Sequence, residues 1–240
     1  MIGSIPLLGQ VIVDEKSNEI TAIPKLLDFI DVSGGMVTID AMGCQTEIIE
    51  KIVEKEADAC IAVKQNQPKL YAAIEQHFDA LVETDFRDAK IRWMDSSEKG
   101  HGREDSRVYA ICPVPESVKD LERWKRVRAI GMATNISVRD GKEHTEIRYY
   151  ILTRYVSGKR FADAVRTHWG IENSLHWQLD VTFREDDCRV RKGHADANLS
   201  VIRRFALSML KNEKSEKPGI KNKRLLAAWD TDYLAKVLSE

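Results

Sequence analysis

The chain lacks most of the features that would place it outside ordinary globular proteins. No apolar run approaches the roughly 18 residues that span a bilayer, which excludes a transmembrane helix. The opening Met1-Ile2-Gly3-Ser4-Ile5-Pro6 has neither the basic region nor the apolar stretch of a secretion signal. Only four cysteines are present (Cys44, Cys60, Cys112 and Cys188), widely spaced and without a CxxC pair. That spacing argues against a disulfide scaffold or a structural zinc site and favours reduced thiols in a cytoplasm. The GxSxG elbow, the GxxxxGK[ST] loop and GxGxxG are missing, so covalent-hydrolase and nucleotide-binding readings have no support. HExxH is missing too, which leaves a zincin site without its spacing. No internal repeat or low-complexity tract stands out.

What is present fits one large domain, or one domain carrying an insertion. The 240 residues are 43% hydrophobic and 31% charged, ample for a buried core. The net charge of -1 conceals an asymmetry. Residues 1–60 carry four Lys/Arg against eleven Asp/Glu, whereas residues 189–224 carry eleven Lys/Arg against three Asp/Glu. Such a split suits a polyanion-facing surface at one end and a cation-binding region at the other; solvated helix faces at both ends remain the plainer alternative.

Strand and helix signals alternate through the first hundred residues. Gln10–Val13 reads as a short strand, 21–32 as a helix capped by Thr21, 36–40 as a strand, and 46–57 as a helix. Ala59-Cys60-Ile61-Ala62-Val63 is the all-apolar run of a strand covered on both faces, and 68–82 is helical. This order predicts parallel pairing with helices on the faces. From 88 to 153 the pattern changes to antiparallel strands near 91–94, 107–111, 126–130 and 147–151, with turns at Gly100-His101-Gly102 and Asp140-Gly141. Helical signals return at 160–180 and 195–211, and a last amphipathic turn lies near 225–229.

Two carboxylates stand out. Asp40 closes an apolar strand, at the sheet edge where α/β proteins place ligands, and Gly43 suits a tight exit from that strand; a simple turn-capping role for Asp40 stays open. His168, Glu172 and His176 fall at i, i+4 and i+8, one stripe of a helix flanked by Trp169 and Trp177. A partly exposed amphipathic face serves that spacing equally well. The acidic triplet Glu185-Asp186-Asp187 reads as a solvated turn, and Lys99–Glu104 as a cationic turn that either touches phosphates or merely tips a hairpin.

Several strings then recur in a recognisable order: Leu8-Gly9-Gln10, Lys16–Ile20, Val37–Gln45, Lys64-Gln65-Asn66-Gln67, His101-Gly102-Arg103, His168-Trp169 with Ile171-Glu172-Asn173, Leu175-His176-Trp177, and Leu179–Asp186. Together they resemble the H-repeat-associated transposases, DDE-type enzymes of bacterial insertion sequences, over nearly the whole chain. The resemblance implies a ribonuclease-H-like fold, a mixed sheet with flanking helices and an inserted antiparallel β-module. It divides the chain into 1–87 (first part of the core, its opening strand missing), 88–155 (inserted module), 156–212 (C-terminal core helices) and 213–240 (basic tail with a short helix).

By the same resemblance Asp40 matches the family's second catalytic acid and Glu172 its third. Both would hold Mg²⁺ (or Mn²⁺), a hard cation that takes oxygen ligands. The partner is double-stranded DNA, both insertion-sequence ends and target. Lys64, Asn66, His101, Arg103, His168, Arg191, Lys192, Arg203 and Arg204 are its candidate contacts. Self-association through an open sheet edge is expected, membrane association is not, and the expected location is the cytoplasm, on the nucleoid when bound to DNA. The family's first acid lies upstream of Leu8-Gly9-Gln10, so a truncated, catalytically incomplete transposase is expected. His168 and Leu179 occupy positions where related transposases carry Arg and Lys. Two further readings stay open: a non-catalytic DNA-binding remnant, and a divalent-metal nuclease using Asp40 and Glu172 with another acid such as Asp180 or Glu185.

Overall fold

The computed structural model describes residues 19–87, 90–100, 103–116, 118, 123–139, 141–171 and 175–239. The strand expected at Gln10–Val13 and the turn residues His101 and Gly102 lie outside them. Two compact units divide the chain, one of residues 13–168 and one of 1–12 with 169–240.

The larger unit is built on one mixed sheet. In chain order it runs α1 (Glu19–Phe29), β1 (Met36–Ile39), α2 (Thr46–Glu54), β2 (Asp58–Val63), α3 (Pro68–Glu83), β3 (Arg92–Gly100), β4 (Arg103–Pro113), β5 (Ala129–Arg139), β6 (Lys142–Leu152) and α4 (Gly158–Ile171). The spatial order of the strands is β1-β2-β6-β5-β4-β3. The expected parallel pair is there, with Met36 opposite Asp58 and Ile39 opposite Ile61. The other pairings are antiparallel. β6 lies directly beside β2, Cys60 opposite Leu152, so the four strands of the β-rich region continue the same sheet. β4, β5 and β6 each run eleven residues, longer than the sequence suggested, and the strand expected at 126–130 begins only at Ala129, so Arg126–Arg128 lie before it.

Apolar spacing explains which element covers which face. α2 turns Ile48, Ile49 and Ile52 inward, α3 turns Leu70, Ile74 and Phe78, and these pack with Leu27, Ile61, Val63, Ile130 and Ile151 in one core. From Ala59 onward β2 is buried throughout, as its apolar run required. α4 brings the fully buried Phe161, whose ring meets Tyr150 edge-on at 5.5 Å and Tyr109 at 6.2 Å. One difference at an element end has a local cause. α1 starts at Glu19, so Thr21 lies within the helix and is not its cap, and Pro24 sits inside it.

In the smaller unit the chain passes through a π-helical stretch (Gln178–Thr182), then α5 (Ala195–Asn212), α6 (Ile220–Trp229) and α7 (Thr231–Ser239). Of the helix expected over 160–180, α4 is described to Ile171 and a π-helical turn covers Gln178–Thr182, a turn whose wider spacing changes which side chains align along it. The single final turn expected near 225–229 is instead two helices, held by a small core of Leu210, Tyr233 and Val237. Beside that core Glu213 is buried with Lys223 (Nζ–Oε2 3.1 Å) and receives the Tyr233 hydroxyl at 2.8 Å.

Candidate active site at the end of the first strand

Asp40 follows β1 directly, at the C-terminal end of the parallel pair. Its backbone is extended, and it opens a 3₁₀ turn over Ala41–Gly43. Oδ1 accepts the Met42 N–H at 3.1 Å, so the capping role read as an alternative is realised by one carboxylate oxygen. The residue is nevertheless exposed. Gly43 is needed for the turn to fold back this closely: a Cβ there would lie 2.3 Å from Ile39 Cγ2.

The loop leaving β2 grips this turn from the side. Asn66 Nδ2 donates to the Ala41 carbonyl at 2.5 Å, and Gln67 Nε2 donates to the Cys44 carbonyl at 2.8 Å. Two parallel strands thus end side by side, and side chains from the second exit hold the backbone of the first. Cys44 is no nucleophile here. Burial pushes its thiol up to about 12, leaving it protonated.

On β1 itself, Thr38 Oγ1 lies 3.2 Å from His168 Nδ1 of α4. His168 is one helical turn before Glu172 in sequence; Glu172, like His101, lies outside the described residues. Lys64 is exposed next to β2, and Arg191 and Lys192 are exposed as well. Arg203 and Arg204 are mostly covered, 3.7 and 3.6 Å from Glu185 Oε1. Arg103 begins β4 at the tip of a hairpin. Among the described residues, no three His, Cys, Asp or Glu side chains gather as a metal site.

The sequence therefore led to Asp40 and to the Lys64–Gln67 string, but not to what Asn66 and Gln67 do. The sequence offers Asn66 as a DNA contact and Gln67 only as a neighbour in the same string, while the structure commits both amides to the backbone of the Asp40 turn. Thr38 was not singled out at all; its position two residues before Asp40 on the same strand was the one available signal.

Comparison with known proteins now defines the class. Residues 3–209 match the family described as transposase DDE domain, and the chain belongs to that family. Among curated relatives, the H repeat-associated putative transposase YhhI of Escherichia coli K12 is 41% identical over 238 residues, covering 97% of this chain and 62% of its own length. The putative transposase YncI of E. coli O157:H7 is 42% identical, with 97% of this chain and 60% of its own length covered. The resemblance read from the motifs holds. The chain spans about three-fifths of the length of these relatives. No helix among the described residues is long and apolar enough to cross a membrane.

Proposed function

We propose that the chain carries the phosphoryl-transfer chemistry of DNA transposition on a ribonuclease-H-like core, with Asp40 and Glu172 as two of the carboxylates that hold Mg²⁺ or Mn²⁺. The observation that carries this reading is the placement of Asp40. Within a transposase DDE domain, an exposed carboxylate stands at the C-terminal end of a parallel strand, on a turn held by its own cap and by Asn66 and Gln67. The donor chemistry fits a hard divalent cation, which takes carboxylate oxygens. Such an ion, when bound, activates a water or 3′-hydroxyl and stabilises the leaving oxygen of a phosphodiester.

The protein's own part is positioning. Asp40 commits Oδ1 to Met42 N–H, which fixes the direction in which the carboxylate faces a ligand. Lys64, Arg191 and Lys192, all exposed, neutralise phosphates of double-stranded DNA at insertion-sequence ends and target. The protein works in the cytoplasm, on the nucleoid when DNA-bound, and self-associates on DNA.

A supercoiled-plasmid assay in Mg²⁺ or Mn²⁺ tests this. The expected result is DNA binding that weakens with salt, with strand cleavage lost in both Asp40→Ala and Glu172→Ala. Cleavage surviving both substitutions would overturn the carboxylate assignment.

A further inference from the structure

Beyond the π-helical stretch the chain turns through 183–194 before α5 begins. Arg184, Arg189, Arg191 and Lys192 lie exposed on that segment. Arg203 and Arg204, neighbours on α5, are mostly covered, their side chains 18% and 24% exposed. Both reach toward one acceptor, Oε1 of Glu185, at 3.7 and 3.6 Å, and that carboxylate is itself mostly covered.

The arrangement is held by charge and not by hydrogen bonds. Both distances exceed hydrogen-bonding reach, and the enclosed atoms Glu185 Oε1 and Arg204 Nη1 find no hydrogen-bond partner among the described residues. An enclosed ion pair offsets its lost hydration only when its geometry is good. Here one carboxylate faces two guanidiniums, so a positive charge is left over, and the neighbouring Asp187 is committed to Arg184 at 2.8 Å. The Arg203 guanidinium also draws the Cys188 thiol below the usual thiol range, first by hydrogen bonding, with help from the Val190 N–H. The local field therefore favours an anion. Glu185 N–H donates to the Leu179 carbonyl and Cys188 N–H to the Glu185 carbonyl, both at 3.0 Å, so the backbone is fixed and the carboxylate leaves by side-chain rotation alone.

We infer that Arg203 and Arg204 form a site for phosphodiester oxygens of the DNA backbone, which the Glu185 carboxylate occupies as an internal stand-in until DNA displaces it. The inference rests on the reading of this chain as a DNA-processing protein and adds Glu185 to it as a gate. Chemistry favours that ligand. Guanidinium forks match the paired oxygens of a phosphate, and such charge-assisted bonds are about twice as strong as neutral ones. Glu185 offers the same two forks a single oxygen beyond bonding reach. Arg189, Arg191 and Lys192 lie between Glu185 and α5 in the chain, so an arriving backbone meets exposed cations before the gated ones.

The test is fluorescence anisotropy with a duplex of arbitrary sequence, titrated by the full chain at a series of KCl concentrations. Glu185→Gln binds about three- to tenfold more tightly than wild type, because the competing carboxylate is gone. Glu185→Asp, which keeps the charge but retracts it by a methylene, gains affinity as well. The gain vanishes in an R203A/R204A background, where the slope of log K against log salt also falls by about 1 to 2 units. Asp186→Asn, an equal change of charge at an exposed neighbour, moves affinity by less than Glu185→Gln. Circular dichroism melts show which variants fold, and Glu185→Asp carries the test should Glu185→Gln not. No gain in either Glu185 variant overturns the gate, as does a gain that survives R203A/R204A or is matched by Asp186→Asn. A Glu185→Gln melting temperature raised by inorganic phosphate, without tighter duplex binding, assigns the site to free phosphate and overturns the DNA gate. No duplex binding by wild type or Glu185→Gln at low salt overturns the DNA reading beneath it.

Discussion

The two units are held together by different physics. In the sheet unit the largest enclosed side chains are apolar: Phe78, Phe161, Ile48, Ile52, Ile61 and Leu70 are almost wholly shielded from water. The C-terminal unit encloses fewer and smaller apolar side chains, Leu179, Leu207, Leu210 and Val237, and among them a carboxylate, an ammonium and the Tyr233 phenol. Burial of apolar area is insensitive to pH and scales with the side chain removed. A buried ion pair is sensitive to pH and fails when one partner is lost. The sheet that presents Asp40 should therefore tolerate conditions under which the C-terminal helices come apart.

Substitutions at the centre of each region break this comparison most strongly. Phe161→Ala removes the ring that α4 sets against Tyr109 and Tyr150, and should cost about 3 to 5 kcal/mol in urea unfolding. Lys223→Met leaves Glu213 buried without its cation and should cost about 3 kcal/mol, seen as early loss of helical circular dichroism while the strand signal persists.

Acid gives the same division without mutation. Hydrogen bonding from Ser215 first, then from Tyr233 and Lys223, lowers the Glu213 carboxyl to about 2 from an ordinary 4.5. A depressed acid contributes stability above its unfolded value and loses it as pH falls. The C-terminal helices should thus loosen between pH 4.5 and 2, ahead of the sheet. At the alkaline end Tyr233, raised by burial and by Glu213, loses its stabilising proton above pH 10, and the same helices should loosen there. Circular dichroism against pH, with Lys223→Met as the reference, reads both limbs.

Smaller effects sharpen the account around Asp40. Gly43→Ala places a methyl against Ile39 and should cost about 1 to 3 kcal/mol. Asn66→Ala should cost about 1 kcal/mol by removing one hydrogen bond to the turn, with faster amide exchange at Gly43 and Cys44 as the local sign.

Legibility in the sequence followed how local each signal is. β2, α2 and α3 were readable because their apolar residues repeat at the strand or helix period and the buried faces confirm it. β6 extends past the stretch the sequence marked because its outer half is polar on both faces: Lys142-Glu143-His144-Thr145-Glu146 shows no alternation, yet it pairs residue for residue with β5. Asp40 was legible as the polar end of an apolar strand. Asn66 was not legible in its role, because a bond to the backbone 25 residues away leaves no periodic trace. The basic stretch of 189–224 misled in part: Lys223 is turned into the C-terminal core, Arg224 bonds the Thr182 carbonyl, and Arg203 and Arg204 flank Glu185.

The central claim is that Asp40 and Glu172 act as one metal-holding pair, and a double-mutant cycle on Mn²⁺ affinity tests it most directly. Electron paramagnetic resonance titrations would compare the wild-type chain, Asp40→Ala, Glu172→Ala and the double variant. The account predicts that each single substitution abolishes most of the binding and that the second adds little, because both ligands serve the same ion. Independent, additive losses, or binding unchanged by either substitution, would contradict it.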